Sequence, residues 1–139
     1  MHMISAVIDT NVLVSALRTR NINSPTIRIY YAILHGEIQI LHSPDILAEY
    51  DDVLHRDKFS FDRILVDEIL DFIKTRGRNL PPTTPDTETF PDPDDKIFYC
   101  VALAAQDEGA VLVTGNVRHF PSSPFVITPA ECAALLENT

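Results

Sequence analysis

No apolar run in this chain approaches the roughly 20 residues that a helix needs to cross a bilayer. The start has no basic segment followed by an apolar stretch and a small-residue cleavage site, so no secretory signal is expected. Cysteine is scarce. Cys100 and Cys132 belong to no Cys-x-x-Cys pair, which excludes a disulfide framework and predicts two core thiols in a reducing, cytoplasmic setting. The five histidines are scattered without zinc-ligand spacing. There is no Gly-x-x-x-x-Gly-Lys-[Ser/Thr] loop, so nucleotide hydrolysis of that kind is excluded. No internal repeat is visible. Bases are outnumbered, 11 against 20 acids, for a net charge of −9 with His neutral. That argues against a general nucleic-acid coat, which needs a basic face. It leaves room for a metal-dependent nuclease, which needs acids at its centre and only a few bases at its rim. An acid excess also suits metal ions or a basic partner.

What is present fits one globular domain spanning residues 1–139, with translation starting at Met1 or Met3. Apolar residues make up 45%, enough for a sizeable core, and charged residues 22%. Residues 4–8 (ISAVI) read as a short buried strand, followed by a turn at Asp9, Thr10 and Asn11 and a short helix to Arg18. Residues 25–35 show a helical apolar pattern ended by Gly36, and 38–41 form a second strand. Ser43 then Pro44 is an N-cap followed by a first-turn proline, opening a helix to about His55. Another helix begins near Ser60–Asp62 and stops at Gly77. Residues 79–93 hold Pro81, Pro82, Pro85, Pro91 and Pro93, so this proline-rich stretch is a long loop. An apolar helix over 94–107, a strand at 111–114 and a brief strand at 125–127 follow. Thr128, Pro129 and Glu131 then form a capping box that opens the last helix. Apolar strands alternating with helices predict an α/β fold of three layers, α/β/α, around a central parallel sheet.

Carboxylates stand where these elements begin or end. Asp9 falls at the carboxyl end of the first strand, where open α/β sheets bind ligands, although capping of the next helix alone would explain it. On the helix from Pro44, residues Leu47, Tyr50, Val53 and Leu54 form one apolar stripe. Glu49 borders it on one side and Asp51 on the other, so either could lean over the sheet edge. Asp45 and Asp52 point outward. Asp92, Asp94 and Asp95 crowd the start of the buried helix, where acids favour the helix dipole. Thr114, Gly115 and Asn116 make a polar turn whose side chains can hydrogen-bond a ligand or a neighbouring carboxylate. Together, carboxylates with few His ligands suit hard, oxygen-loving cations, Mg²⁺ or Mn²⁺.

The segments AVIDTNVLVSAL, LAEYDDVL, DPDDKIFYCVALAA and VLVTGNVRHF resemble, in order and spacing, the successive motifs of PIN domains. In particular they are similar to the branch that serves as toxins of toxin–antitoxin pairs, over nearly the whole chain. The resemblance implies a ribonuclease dependent on Mg²⁺ or Mn²⁺, with products carrying 5′-phosphate and 3′-hydroxyl ends. It carries Asp9 over as the first acid and Glu49, rather than Asp51, as the second. The third falls on Asp95, with Asp94 the alternative, and Asp92 assists. The resemblance makes Thr10, Asn11 and Thr114 supporting residues. Many members have an acid where this chain has Asn116, and that amide bears on whether two metals bind. Arg18, Arg20, Arg56, Lys58, Lys96 and Arg118 are candidates for holding the RNA backbone. Expected partners are an RNA substrate, a small antitoxin protein and a second copy in a homodimer, with no membrane.

Other readings compete. A phospho-acceptor receiver wants adjacent acids after the first strand and a late lysine, and this chain has one Asp there and no Lys after Lys96. A haloacid-dehalogenase-type phosphatase wants acid-x-acid, and Asn11 stands in place of the second acid. A catalytically weak or inactive PIN-like module kept for protein contacts would tolerate Asn116.

Overall fold

A computed structural model describes residues 3–84, 90 and 92–138. Its strands are β1 (Ile4–Ile8), β2 (Ile38–His42), β3 (Arg78–Asn79), β4 (Val111–Val113) and β5 (Val126–Ile127). Its helices are α1 (Thr10–Arg18), α2 (Pro25–Leu34), α3 (Pro44–Leu54), α4 (Arg63–Arg76), α5 (Pro93–Ala104) and α6 (Pro129–Glu137). The strands form one sheet in the order β3-β2-β1-β4-β5, and every pairing is parallel. Ala6, Val7 and Ile8 are all fully buried. Successive strand residues point to opposite faces, so helices cover the sheet on both sides, as the α/β/α reading expects.

Local chemistry sets the helix starts. Ser24, Ser43 and Asp62 each accept a hydrogen bond from the first turn of the helix they open, at 3.3, 3.2 and 3.0 Å. The capping box at α6 is present: Thr128 Oγ1 accepts from Glu131 N at 3.1 Å, and Glu131 Oε1 from Thr128 N at 2.9 Å. Helix α5 is wedged against β1, β2 and β4, which is why it is apolar around most of its circumference.

Three expectations need correction. The proline-rich loop does not begin at residue 79, because Arg78 and Asn79 pair with Leu41 and His42 as an edge strand. A two-residue polar edge strand leaves no alternating pattern in the sequence. Helix α5 ends at Ala104, and residues 106–108 tighten into a 3₁₀ turn. Gln106 Nε2 donates to the carbonyls of Ala102 and Ala110 at 2.8 and 2.9 Å, which closes the chain before Gly109 turns at φ 73°. The strand placed at 111–114 stops at Val113 and releases Thr114 into the turn. Of the proline-rich stretch, residues 85–89 and 91 lie outside the described residues, as does the choice of start between Met1 and Met3.

Candidate active site

From β1 the chain moves to β2 on one side of the sheet, and β4 leads to β5 on the other. The carboxyl ends of β1 and β4 therefore flank the topological switch point, where a doubly wound sheet opens a crevice. Asp9 and Thr114 stand there, 105 residues apart in sequence and hydrogen-bonded to each other: Thr114 Oγ1 donates to Asp9 Oδ2 at 2.8 Å. Asn11 Nδ2 donates to the same oxygen at 3.2 Å, and Asn11 Oδ1 accepts from Gly115 N at 3.1 Å. Asn116 N donates to Thr114 Oγ1 at 3.0 Å. The result is a closed network joining two strand ends through side chains from both.

Asp9 occupies the N-cap position of α1, yet its side chain makes no capping hydrogen bond. It is 6% exposed. Burial pushes its carboxyl above the ordinary carboxylate range, against the opposing pull of Thr114, the Thr10 and Asn11 amides and the charge of His119. The hydroxyl of Thr10 beside it is buried with no hydrogen-bond partner.

Helix α3 is held over this crevice by Tyr50, a fully buried side chain whose hydroxyl donates to the Ile8 carbonyl, one residue before Asp9. Glu49, its neighbour, is half-buried. Burial raises its pKa first, and Asp94, Asp52 and Asp9 add to the rise while Arg56 opposes it. Asp51 diverges. It pairs with His55 Nδ1 at 3.3 Å, and His55 Nε2 meets Asp67 at 2.8 Å, so this second edge acid of α3 is engaged towards α4.

The three acids opening α5 separate by job. Asp92 is the cap, accepting from Asp94 N at 2.9 Å. Asp94 is exposed in the first turn and close enough to raise the Glu49 pKa. Asp95 is half-buried, and its pKa is raised by burial, then by Asp9 and Asp92, with His119 pulling down. Its Oδ2 is buried and has no hydrogen-bond partner. His119 Nδ1 stands 3.5 Å away, an ion-pair distance when the ring is protonated but long for a hydrogen bond.

Asp9, Glu49 and Asp95 therefore share one electrostatic neighbourhood, with Asp94 at its margin and Asp92 behind it. Among the described residues, no three His, Cys, Asp or Glu side chains are drawn into a ready-made ion cage. The donor set is nonetheless all oxygen, its carboxylates repel one another, and one buried oxygen accepts no hydrogen bond. Those properties fit a hard divalent cation.

Two residues escaped the sequence reading. His119 reaches Asp95 from the 3₁₀ turn over Val117–His119, and the adjacent Arg118 drew attention instead. Tyr50 read as a core stripe residue, and only the fold brings its hydroxyl to β1. Of the candidate RNA contacts, Arg56 is tied to Asp52 at 2.8 Å. Arg20, Lys96 and Arg118 are exposed, and Arg18 and Lys58 both lie against the Phe59 ring. Asn116 is exposed, and its backbone rather than its amide makes the described bond. Among the described residues no helix is long and apolar enough to cross a membrane.

No curated protein and no solved structure matches the chain. The sequence model of a family described as the PIN domain matches residues 5–118. That span runs from β1 to the turn after β4, which takes in every strand end and helix start that builds the acidic crevice. The chain belongs to the PIN domain family.

Proposed function

We propose that the chain is a Mg²⁺- or Mn²⁺-dependent endoribonuclease and the toxin component of a toxin–antitoxin pair, acting in the cytoplasm. PIN domains are in general nucleases, which sets the class. The finer reading is carried by one observation: the buried Asp95 Oδ2, which accepts no hydrogen bond and has only His119 at 3.5 Å, in the same acidic crevice as Asp9. A buried carboxylate oxygen without a donor costs free energy unless something else answers it.

When bound, a divalent ion would polarise the phosphodiester and lower the pKa of an attacking water. Asp9, Glu49 and Asp95 would hold it. Thr114 and Asn11 fix Asp9 by hydrogen bonds, which removes the cost of ordering that carboxylate on each binding event. Glu49 is less buried than Asp9 and has a raised pKa, which suits it to accept a proton from water. His119, beside Asp95, is placed to steady that carboxylate or to give a proton to the leaving 3′ oxygen. Asn116 supplies no charge at the mouth, in keeping with one ion rather than two.

The test is cleavage of single-stranded RNA by the purified chain. Cleavage is expected in Mn²⁺, is abolished by EDTA, and falls roughly a hundredfold or more in Asp9→Asn, in line with losses on removing one preorganised charged group. Undiminished cleavage by Asp9→Asn overturns the reading. The exposed Asn116 amide, standing where an acid would add charge, favours a second reading, a non-catalytic interaction module. That module would show no Mn²⁺-dependent cleavage and no response to Asp9→Asn. The acid excess suits a basic segment of an antitoxin protein, and co-purification with the product of a short adjacent gene tests that partnership. Sedimentation of the free chain tests the homodimer.

A further inference from the structure

A half-buried stripe of α1 starts at the acidic crevice and ends at the exposed Arg18. Asn11, which holds Asp9, lines one shallow surface groove together with Val14, Ser15, Arg18 and Thr19. Seven residues at ~1.5 Å each carry that groove about 10 Å from Asn11 to Arg18. At its far end the Arg18 guanidinium lies 5.7 Å from the centre of the Phe59 ring, and Lys58 Nζ lies 5.1 Å from it. Phe59 in turn stacks on Phe61, with ring centres 5.4 Å apart and planes within 11°. Ser60, at φ 54°, turns the chain so that the two rings meet.

The net charge is −9, and Arg28, Arg56 and Arg78 are tied to acids. Arg76 also lies against a ring, that of Phe72, but among the described residues only Phe59 gathers two cations. Arg18 and Lys58 have no carboxylate partner among the described residues. They rest instead on an aromatic face, which attracts a cation while leaving its N–H groups open to a further ligand. A polyanion held at both places would cross about three stacked nucleotides at ~3.4 Å each.

We propose that Arg18 and Lys58, seated on Phe59, form a phosphate-binding subsite for single-stranded RNA, about three nucleotides along the α1 groove from the acidic crevice. The proposal rests on the nuclease reading for the position of the scissile bond. The subsite holds the strand in register, and Phe59 acts as a positioning residue whose ring lies against both flexible cations.

The test is RNA binding by the full chain in EDTA, where cleavage is silent, read by fluorescence anisotropy. Arg18→Gln with Lys58→Gln is compared with wild type on an oligonucleotide of about ten residues and on a dinucleotide too short to span the groove. Binding of the longer strand is expected to weaken roughly tenfold, with the slope of log K against log salt falling by about 0.7 for each phosphate no longer held. Dinucleotide binding is expected to stay unchanged. Phe59→Leu keeps both charges and is expected to weaken the longer strand severalfold at an unchanged melting temperature. Equal binding of the longer strand by wild type and the double variant overturns the subsite, whether or not the chain cleaves RNA. Equal weakening on both lengths overturns it too, since it would show a diffuse charge effect. Unchanged RNA binding with weakened capture of a poly-glutamate peptide would reassign the cluster to an acidic protein segment. Weakened binding of the longer strand by a chain that never cleaves RNA in Mn²⁺ would sustain the subsite and sink the nuclease reading.

Discussion

Asp95 shows most directly what the crevice does to single groups. Burial and the neighbouring charges of Asp9 and Asp92 lift its pKa, and Asp9 and Glu49 are lifted as well. A carboxyl whose native pKa exceeds its unfolded value binds its proton more tightly when folded. The stabilising increment is fully present below the ordinary carboxylate range and is lost as pH climbs through the raised native values. The ion-free protein is therefore strained by its own acids at neutral pH. Asp95→Asn is expected to raise its melting temperature by about 2–4 °C at pH 7 and by less near pH 4, in thermal melts in EDTA. No rise at pH 7 would remove the repulsion argument. His42 has the opposite sign. It is buried at the end of β2, neither ring nitrogen has a hydrogen-bond partner, and burial lowers its pKa against a weaker opposing effect of the Lys74 backbone. Its stabilising contribution is present above the ordinary histidine pKa of about 6.5 and is lost as pH falls through the depressed native value. A neutral side chain at this position, His42→Gln, is expected to flatten the loss of stability as pH falls below about 6.5, measured by urea unfolding at each pH. Some of this was legible from the sequence. Asp9, Asp92, Asp94 and Asp95 declared themselves by standing at element ends. The tie between Glu49 and Asp51 could not be broken by helical geometry, because both border the same stripe. In the fold the two differ: Asp51 pairs with His55 at the end of its own helix, and His55 reaches on to Asp67 of α4, whereas Glu49 stands within the electrostatic reach of Asp9 and Asp94. His119 gave no local signal, since its contact with Asp95 spans a turn and a sheet.

Elements are positioned by close approach as much as by capping. Gly77 caps α4, yet its φ of −79° is available to any residue. What excludes a side chain is space. A Cβ there would fall 2.6 Å from the Ile73 carbonyl oxygen, 2.7 Å from that of Ile40 and 2.8 Å from His42 Cδ2. Two of those three atoms are backbone and cannot swing away. Gly77→Ala is expected to destabilise the fold by about 1–3 kcal/mol, the range for forcing extra atoms into packed structure, seen as a lower urea midpoint with an unchanged slope. The sequence announced Gly77 as a helix stop but not as the contact that lets α4 and β3 lie against β2. Helix starts were the most legible features, because Ser43-Pro44 and Thr128-Pro129-x-Glu131 act within a single turn. Strand β3 was invisible for the converse reason: Arg78 and Asn79 carry no pattern, and their pairing is dictated by β2.

At the scale of the whole molecule, the charge of −9 and the clustered acids set the response to ions. A ligand that binds only the folded state stabilises it by RT ln(1 + [L]/Kd), about 2.7 kcal/mol at a hundredfold excess over Kd. Mn²⁺ is therefore expected to raise the melting temperature of the wild-type chain at pH 7 and to do so far less in Asp9→Asn. An equal rise in both would place the ion elsewhere. Sodium chloride is expected to stabilise the ion-free protein mildly, because screening over about 8–10 Å weakens its self-repulsion, and the same salt would blunt the Mn²⁺ effect.

The bond between Thr114 and Asp9 also orders events in time. On the ribosome Asp9 is made first, and the hydroxyl that clamps this carboxylate is added only 105 residues later. Between those two moments β1 has no β4 beside it, and the crevice lacks one wall. A half-translated chain thus carries its first acid unclamped, and a cell making this protein meets a finished crevice or none.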